Sequence, residues 1–384
     1  MLELIDYDVM RLVWWLLLGV LLIGLAIMDG TNYGVCTLVP FIGKNDTERR
    51  IVLNTVEPYW EGSQVWLILG GGAVFAAWPA VYATSFSGFY LAIFVVLASL
   101  ILRPPAFKYR NKLDNPKWRR AWDWGLFIAG FVPALIFGVA VGNVLQGVPF
   151  RFDDTMRSFY EGNFFGLLNP FAILCGLVSV AMLVTHAGIY LALKADEPVA
   201  SRGRLVGSIG TIVTMALFAL GGVWVSAGID GYVIVSEIAS NGPSNPLAKE
   251  AVAETGAWLN NYSTYPFFLI APIAGFAGSI LALLLVRLKR AGLAYVASGI
   301  SLFGIIATVG VSMFPFIMPS SIDPVSSLTV WDASSSYTTL IVMLFCTIVF
   351  LPIVLAYTSW VFWVMRGTVT EEEVNKHASP ASGY

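Results

Sequence analysis

The chain has 384 residues, of which 57% are hydrophobic and only 12% charged; its mean hydropathy is +0.76. Soluble domains carry about 25% charged residues, so the composition excludes a water-soluble globular protein and predicts an all-α polytopic membrane protein. A net charge of −2 argues against a nucleic-acid partner, and Cys36, Cys175 and Cys346, scattered through apolar runs without a C-x-x-C pair, argue against disulfides and structural zinc.

Nine apolar runs can be read, near 12–30, 64–83, 86–103, 124–144, 168–193, 205–228, 265–286, 292–317 and 338–364. Each is near the ~20 residues that one helical crossing needs. The first follows Glu3, Asp6 and Asp8 rather than a basic segment and has no small-residue cleavage site after it, so it reads as a retained helix. The second and third form a hairpin with its turn between Pro79 and Gly88, and the ninth is long enough to require tilt.

The loops test this count. Those at 44–50, 103–120, 194–204, 287–290 and 366–376 hold 18 of the 22 Lys and Arg residues, and Arg11, Arg151, Arg157 and Lys249 are the rest. Positive residues gather on the cytoplasmic side, so nine helices place the N-terminus in the periplasm and the C-terminus in the cytoplasm. The expected organisation is one integral-membrane domain over 1–367 and a polar, mobile tail over 368–384. Nine helices suit two four-helix bundles plus one further helix, with Gly138 and Gly142 allowing close helix approach. The outer loops 229–264 and 318–337, rich in Gly, Pro, Ser and Asn, are long enough to fold over helix ends or cover a partner.

Ionisable residues at the edges of spans are the first functional candidates, since charge in a membrane is costly. Asp29, with Asn32 one turn on, stands at the cytoplasmic end of the first run; it reads either as functional or as a helix stop capped by Gly30. Glu61, with Glu57 one turn before and Trp60 beside it, opens the second run; the plainer reading is an acid favoured at a helix N-terminus. Arg103 closes the third run before Pro104-Pro105, either as a topology anchor or as an ion-pair partner of Asp29 or Glu61 at the same face. His186 is the only histidine inside a run. It could bind haem iron or shuttle a proton, but one histidine cannot ligate several haems, so a packed, hydrogen-bonded histidine is expected. The triple glycine Gly70-Gly71-Gly72 lacks the Lys-Ser/Thr of a phosphate loop and reads as helix packing. The tryptophans near run ends, such as Trp14, Trp15, Trp118, Trp122 and Trp124, read as an interfacial belt.

Several stretches carry a resemblance over essentially residues 5–375: WWLLLGVLLIGLAIMDG (14–30), KNDTERRIVLN (44–54), WEGSQVWLILGGGAVFAAWPAVYA (60–83), SGFYLAIFVVLASLILRP (87–104), GNVLQGVPF (142–150), GVWVSAGIDGY (222–232), MFPFIMPSS (313–321) and SLTVWDASSS (327–336). The sequence resembles the second subunit of cytochrome bd-type ubiquinol oxidases, of the bd-I, bd-II or cyanide-insensitive branch. The resemblance implies two four-helix bundles plus a peripheral helix in a bacterial inner membrane. It implies a larger partner, subunit I, that holds the b and d haems and oxidises quinol, with one or more small single-span accessory subunits and membrane lipids around the pair. No cofactor would be bound by this chain alone, apart from a structural quinone or lipid. Dioxygen would be reduced to water with protons from the cytoplasm. Glu61, with Glu57, would stand at the mouth of the proton path, Trp66 near the oxygen access route, and Asp29 and Arg103 at matching family positions. Asn32 departs from the family, where a second acid is common, and His186 stands where relatives carry another polar residue.

A proton-coupled secondary transporter is the competing reading. It would place polar, Gly/Pro-broken helices near the midplane, whereas the second and third runs lack a central charge or amide.

Overall fold

The computed structural model describes residues 5–372 and 374. The helices in chain order are α1 (Tyr7–Ile42), α2 (Asp46–Asn54), α3 (Trp60–Ser63), α4 (Val65–Ala77), α5 (Pro79–Gly88), α6 (Tyr90–Leu100) and α7 (Arg103–Tyr109). They continue as α8 (Pro116–Gln146), α9 (Pro170–Lys194), α10 (Val199–Gly228), α11 (Asn260–Thr264), α12 (Ile270–Arg287), α13 (Ala291–Met313) and α14 (Tyr337–Val364). Among the described residues, eight helices are long and apolar enough to cross a membrane: α1, the continuous α6–α7 segment, α8, α9, α10, α12 with the turn before it, α13 and α14.

Several elements differ from the hydropathy reading, each for a local reason. The first run does not stop at Gly30: α1 extends over 36 residues, or ~54 Å at 1.5 Å per residue. Asp29 is therefore inside a helix, and the helix-stop reading is set aside. The run at 64–83 is broken, because Pro79 has no N–H to donate and disfavours helical geometry in the residue before it. Trp78 accordingly leaves the helix at φ −135° and ψ 74°, and α5 begins at Pro79. Helix α8 starts well before its apolar run, at Pro116 under an Asn115 cap, since charged residues continue a helix that hydropathy does not register.

Helices α9, α10, α12 and α13 pack around a closed ring, while α1 and α8 pack on each other, with α4 against α1 and α6 against α8. Helices α1 and α9 lie at the junction of the two groups. At the α8–α9 contact, a Cβ on Gly138 would lie 2.3 Å from the Cys175 carbonyl oxygen, and one on Gly142 2.6 Å from the Ala172 Cα. Glycine is required there by backbone approach. The triple glycine behaves otherwise: no atom of another element lies within 4 Å of a Cβ built on Gly70, Gly71 or Gly72, so the packing reading fails within this chain. Helix α14 has only 6% of its apolar window buried.

Loops sort into two ends. At the basic end, Asp123 is fully buried and binds Arg110 at 2.6 Å and Arg49 at 2.8 Å, while Asp46 pairs with Arg50, Arg110 and Arg119, each at 3.0 Å. The start of the polar tail is held there too: Val369 bridges to Ala195 and Val374 is buried, so the mobile reading fails for the described part. The opposite end carries three small antiparallel hairpins: β1 (Phe150–Phe152) with β2 (Ser158–Tyr160), β3 (Asp230–Ile234) with β4 (Ala251–Thr255), and β5 (Phe316–Met318) with β6 (Leu328–Thr329). Two of that end's four cations serve as internal ties. Lys249 Nζ donates to the carbonyls of Pro246, Val325 and Ser327 and pairs with Asp332 at 2.8 Å; Arg11 donates to Ser334 Oγ at 2.7 Å and to the carbonyls of Ser240 and Gly242. The loops 229–264 and 318–337 thus fold over the helix ends and onto each other.

Candidate functional site

Asp29, Asn32 and Tyr33 fall on one face of α1, because residues three and four apart are neighbours on a helix. Arg103 faces them from the start of α7. Pro104 and Pro105 occupy the first turn of α7, where proline costs no hydrogen bond. An arginine at a helix N-terminus meets an unfavourable dipole, so it calls for a carboxylate. The structure supplies one: Arg103 Nη1 donates to Asp29 Oδ1 at 2.9 Å, with both side chains wholly buried. Asn32 Nδ2 donates to the same oxygen at 3.0 Å. Aromatic faces complete the enclosure, with the Arg103 Cζ 4.5 Å from the Tyr33 ring centroid and 5.9 Å from that of Trp60. Trp60 in turn stacks on Phe107 at 5.3 Å.

The cluster is rich in unused hydrogen-bonding capacity. Asp29 Oδ2, Asn32 Oδ1, the Tyr33 hydroxyl, and Arg103 Nε and Nη2 are all buried without a protein partner. Buried polar groups are otherwise nearly always satisfied, and five such atoms converge here. Asn32 acts here as a donor to the single carboxylate.

Glu61 and Glu57 lie just outside. The single turn α3 puts Trp60 inward, against Arg103, and leaves Glu61 exposed beside it. Glu57 is also exposed, and neither carboxylate makes an ion pair among the described residues. Loss of water around the Glu57 carboxyl pushes its pKa above the ordinary glutamate value. The structure brings Asp29 and Arg103 together, joins Trp60 to them, and leaves Glu61 and Glu57 at the surface one residue and one turn away. Trp66 is buried, and its ring lies so close over Gly24 of α1 that a Cβ there would stand 2.4 Å from it. Tyr33 was missed in the sequence; its position one turn from Asp29 was the available signal.

His186 is fully buried on α9. Its Nδ1 is 2.7 Å from Ser298 Oγ, and its ring stacks on Tyr295 with centroids 4.4 Å apart. Its other ring nitrogen, Nε2, is buried without a protein partner. Among the described residues, no group of three or more His, Cys, Asp or Glu side chains converges as a metal site.

With this geometry in place, comparison with known proteins is decisive. The sequence profile described as "Cytochrome bd terminal oxidase subunit II" matches residues 10–365. The chain belongs to that family. It is 51% identical over 373 residues to "Cytochrome bd-I ubiquinol oxidase subunit 2" of Escherichia coli K12, covering 97% of this chain and 98% of that protein. A "Probable cytochrome oxidase subunit 2" of Haemophilus influenzae is 50% identical over the same shares, and "Cytochrome bd ubiquinol oxidase subunit 2" of Bacillus subtilis is 29% identical over 94% of this chain and 97% of that one. In fold, the chain matches a solved structure of the bd oxidase from Geobacillus thermodenitrificans with a TM-score of 0.69, at 13% identity, over 93% of this chain and 98% of the other.

Proposed function

We propose that the chain is subunit II of a terminal quinol oxidase in the bacterial inner membrane, where it scaffolds a larger subunit I that carries the b and d haems and oxidises ubiquinol. Its own part is proton and oxygen supply, not electron transfer. Near full-length relatedness to bd-type second subunits supports this reading. His186 is the single histidine among the described residues, too few to ligate several haems, which fits the assignment of the haems to the partner.

In this reading the basic end is cytoplasmic, as the positive residues favour, and α3 with α4 supplies a ninth crossing. The two helix groups then form two four-helix bundles, with α14 peripheral. The face of α4 that bears the open triple glycine is where a helix of the partner subunit would seat, since small residues let backbones approach. Small accessory subunits, lipids and a structural quinone complete the assembly.

Reduction of dioxygen to water consumes protons, and drawing them from the cytoplasm charges the membrane. Glu61 and Glu57 collect these protons at the surface. Trp60 and Tyr33 wall the step from there to the Asp29–Arg103 cluster, whose five unpartnered polar atoms can hold and orient a transferred proton or a water. The guanidinium of Arg103 holds the Asp29 carboxyl in place. Trp66, packed over Gly24, lines the oxygen access route from the lipid. The observation that carries the proton reading is the buried, incompletely satisfied Asp29–Asn32–Tyr33–Arg103 cluster beside exposed carboxylates. Purification in mild detergent with an optical spectrum tests the assignment: haem bands arriving with a larger chain are expected, and a lone, colourless chain would favour a proton-coupled secondary transporter.

A further inference from the structure

The turn between α12 and α13 carries three exposed cations, Arg287, Lys289 and Arg290. Among the described residues none of them makes an ion pair. Several arginines elsewhere on the same end differ: Arg49, Arg50, Arg110, Arg119 and Arg202 each sit on a carboxylate at 2.6–3.0 Å, while the exposed Arg120 and Arg366 do not. The bias toward positive residues on one side explains why cations occur in this turn. It does not explain their lack of partners, nor the backbone beneath one of them.

Lys289 has φ +56°. Its N–H bonds the Val286 carbonyl, and the N–H of Arg290 bonds that of Leu285, which is the hydrogen-bond wrap that ends a helix through a left-handed residue. Glycine fills that position without strain, whereas a residue with a Cβ costs about 1 kcal/mol or more there. A lysine held in a glycine position points to a use for its ammonium group.

Arg204 of α10 approaches from the other side. With Arg287, Lys289, Leu205, Ser208 and Val286 it lines an open cleft of about 280 Å³. Glu197 is bonded to Arg204, so three cations face the cleft against one acid. Directly along the same helices, Ile209 and Ile212 of α10 and Leu281 and Leu284 of α12 are exposed, forming an apolar wall that runs into the membrane. A cationic cleft at the end of an apolar wall matches a molecule with an anionic phosphate and long acyl chains.

We propose that this cleft binds an anionic phospholipid, its phosphate held by Arg204, Arg287 and Lys289 and its acyl chains laid along the exposed faces of α10 and α12. A lipid so placed clamps α10 to the α12–α13 pair at the basic end.

The test uses the whole oxidase complex, washed in mild detergent and analysed by native mass spectrometry for retained lipid, with heat stability measured after adding phosphatidylglycerol, phosphatidylethanolamine or inorganic phosphate. The comparison is with Arg287→Gln/Lys289→Gly, in which the glycine relieves the left-handed residue, so that lipid-free stability is at least that of the parent. Wild-type complex is expected to retain phosphatidylglycerol and to be stabilised by it well above phosphatidylethanolamine. The double variant should retain less than a third as much and lose most of that stabilisation, while Glu197→Gln, which frees Arg204, should retain more. Equal retention by the double variant would overturn the proposal. So would equal protection by inorganic phosphate, which would make this a free-anion site, or loss of a co-purifying protein chain from the variant, which would make it a protein contact.

Discussion

Removing one member of the Asp29–Arg103 pair should be far more damaging than removing both. Both side chains are wholly buried, and their contact is 2.9 Å. Asp29→Leu leaves a guanidinium with only Asn32 and aromatic faces near it, and Arg103→Met leaves a carboxylate with only the Asn32 amide. Breaking a buried pair in this way costs about 3–5 kcal/mol, whereas replacing the whole pair with apolar groups is often neutral or better. At ~2 °C per kcal/mol for a large domain, each single variant should lower the unfolding temperature by roughly 6–10 °C. The double variant should recover most of that loss, giving a coupling of at least ~2 kcal/mol in the cycle. Unfolding of the purified complex can be followed with a thiol-reactive fluorescent dye, since Cys36 is fully buried in the folded chain. Additive losses, with the double variant worse than either single one, would refute the reasoning and reduce Arg103 to a topology anchor.

Other outcomes follow from the same geometry. His186→Gln should leave the haem spectrum of the complex unchanged, because the haems are assigned to the partner subunit; loss of one haem would make the unpartnered Nε2 of His186 a ligand. Trp66→Ala should open the space over Gly24 and change oxygen consumption at limiting oxygen by about twofold or more, with little effect at saturation; identical oxygen dependence would remove Trp66 from the route. Loss of water around the Glu57 carboxyl raises its pKa above the ordinary glutamate value. A raised folded pKa gives stability that is present below the unfolded pKa and is lost as pH rises through the folded value. Glu57→Gln should therefore flatten the fall in stability just above pH 4.5, as read from thermal unfolding across pH, and an unchanged profile would place the titration elsewhere.

Much of the architecture was legible because hydropathy and loop charge are strong signals in a membrane protein. The loops rich in Lys and Arg do gather at one end, where Asp46 and Asp123 lock several of the arginines in place. Reading stopped short where local chemistry overrides hydropathy. Asp29-Gly30 looks like a helix terminus, yet α1 continues because Arg103, 74 residues away, compensates the carboxylate. Pro79 splits an apolar run that composition alone shows as continuous. Gly70-Gly71-Gly72 has the look of a helix contact, but no other element of this chain comes within 4 Å of a Cβ built there. In the site, Asp29 and Arg103 stood out as charges in apolar surroundings, while Tyr33, an ordinary aromatic in a span, did not. The ties made by Arg11 and Lys249 were hidden too, since both bind mainly backbone carbonyls that carry no sequence signature.

Proton uptake through Glu61 is tested most directly by oxygen consumption and internal proton uptake in proteoliposomes carrying the Glu61→Gln complex at saturating quinol. Gln keeps the shape and removes the titrating group, so steady-state turnover should fall by roughly tenfold or more, below the roughly 10²–10⁴-fold of a group acting at the reacting atoms, because Glu61 only feeds the path. The haem spectrum and subunit content should be unchanged, and Glu61→Asp should remain largely active. Full turnover and full proton uptake in Glu61→Gln would show that protons reach the oxygen-reducing site without this subunit's carboxylate.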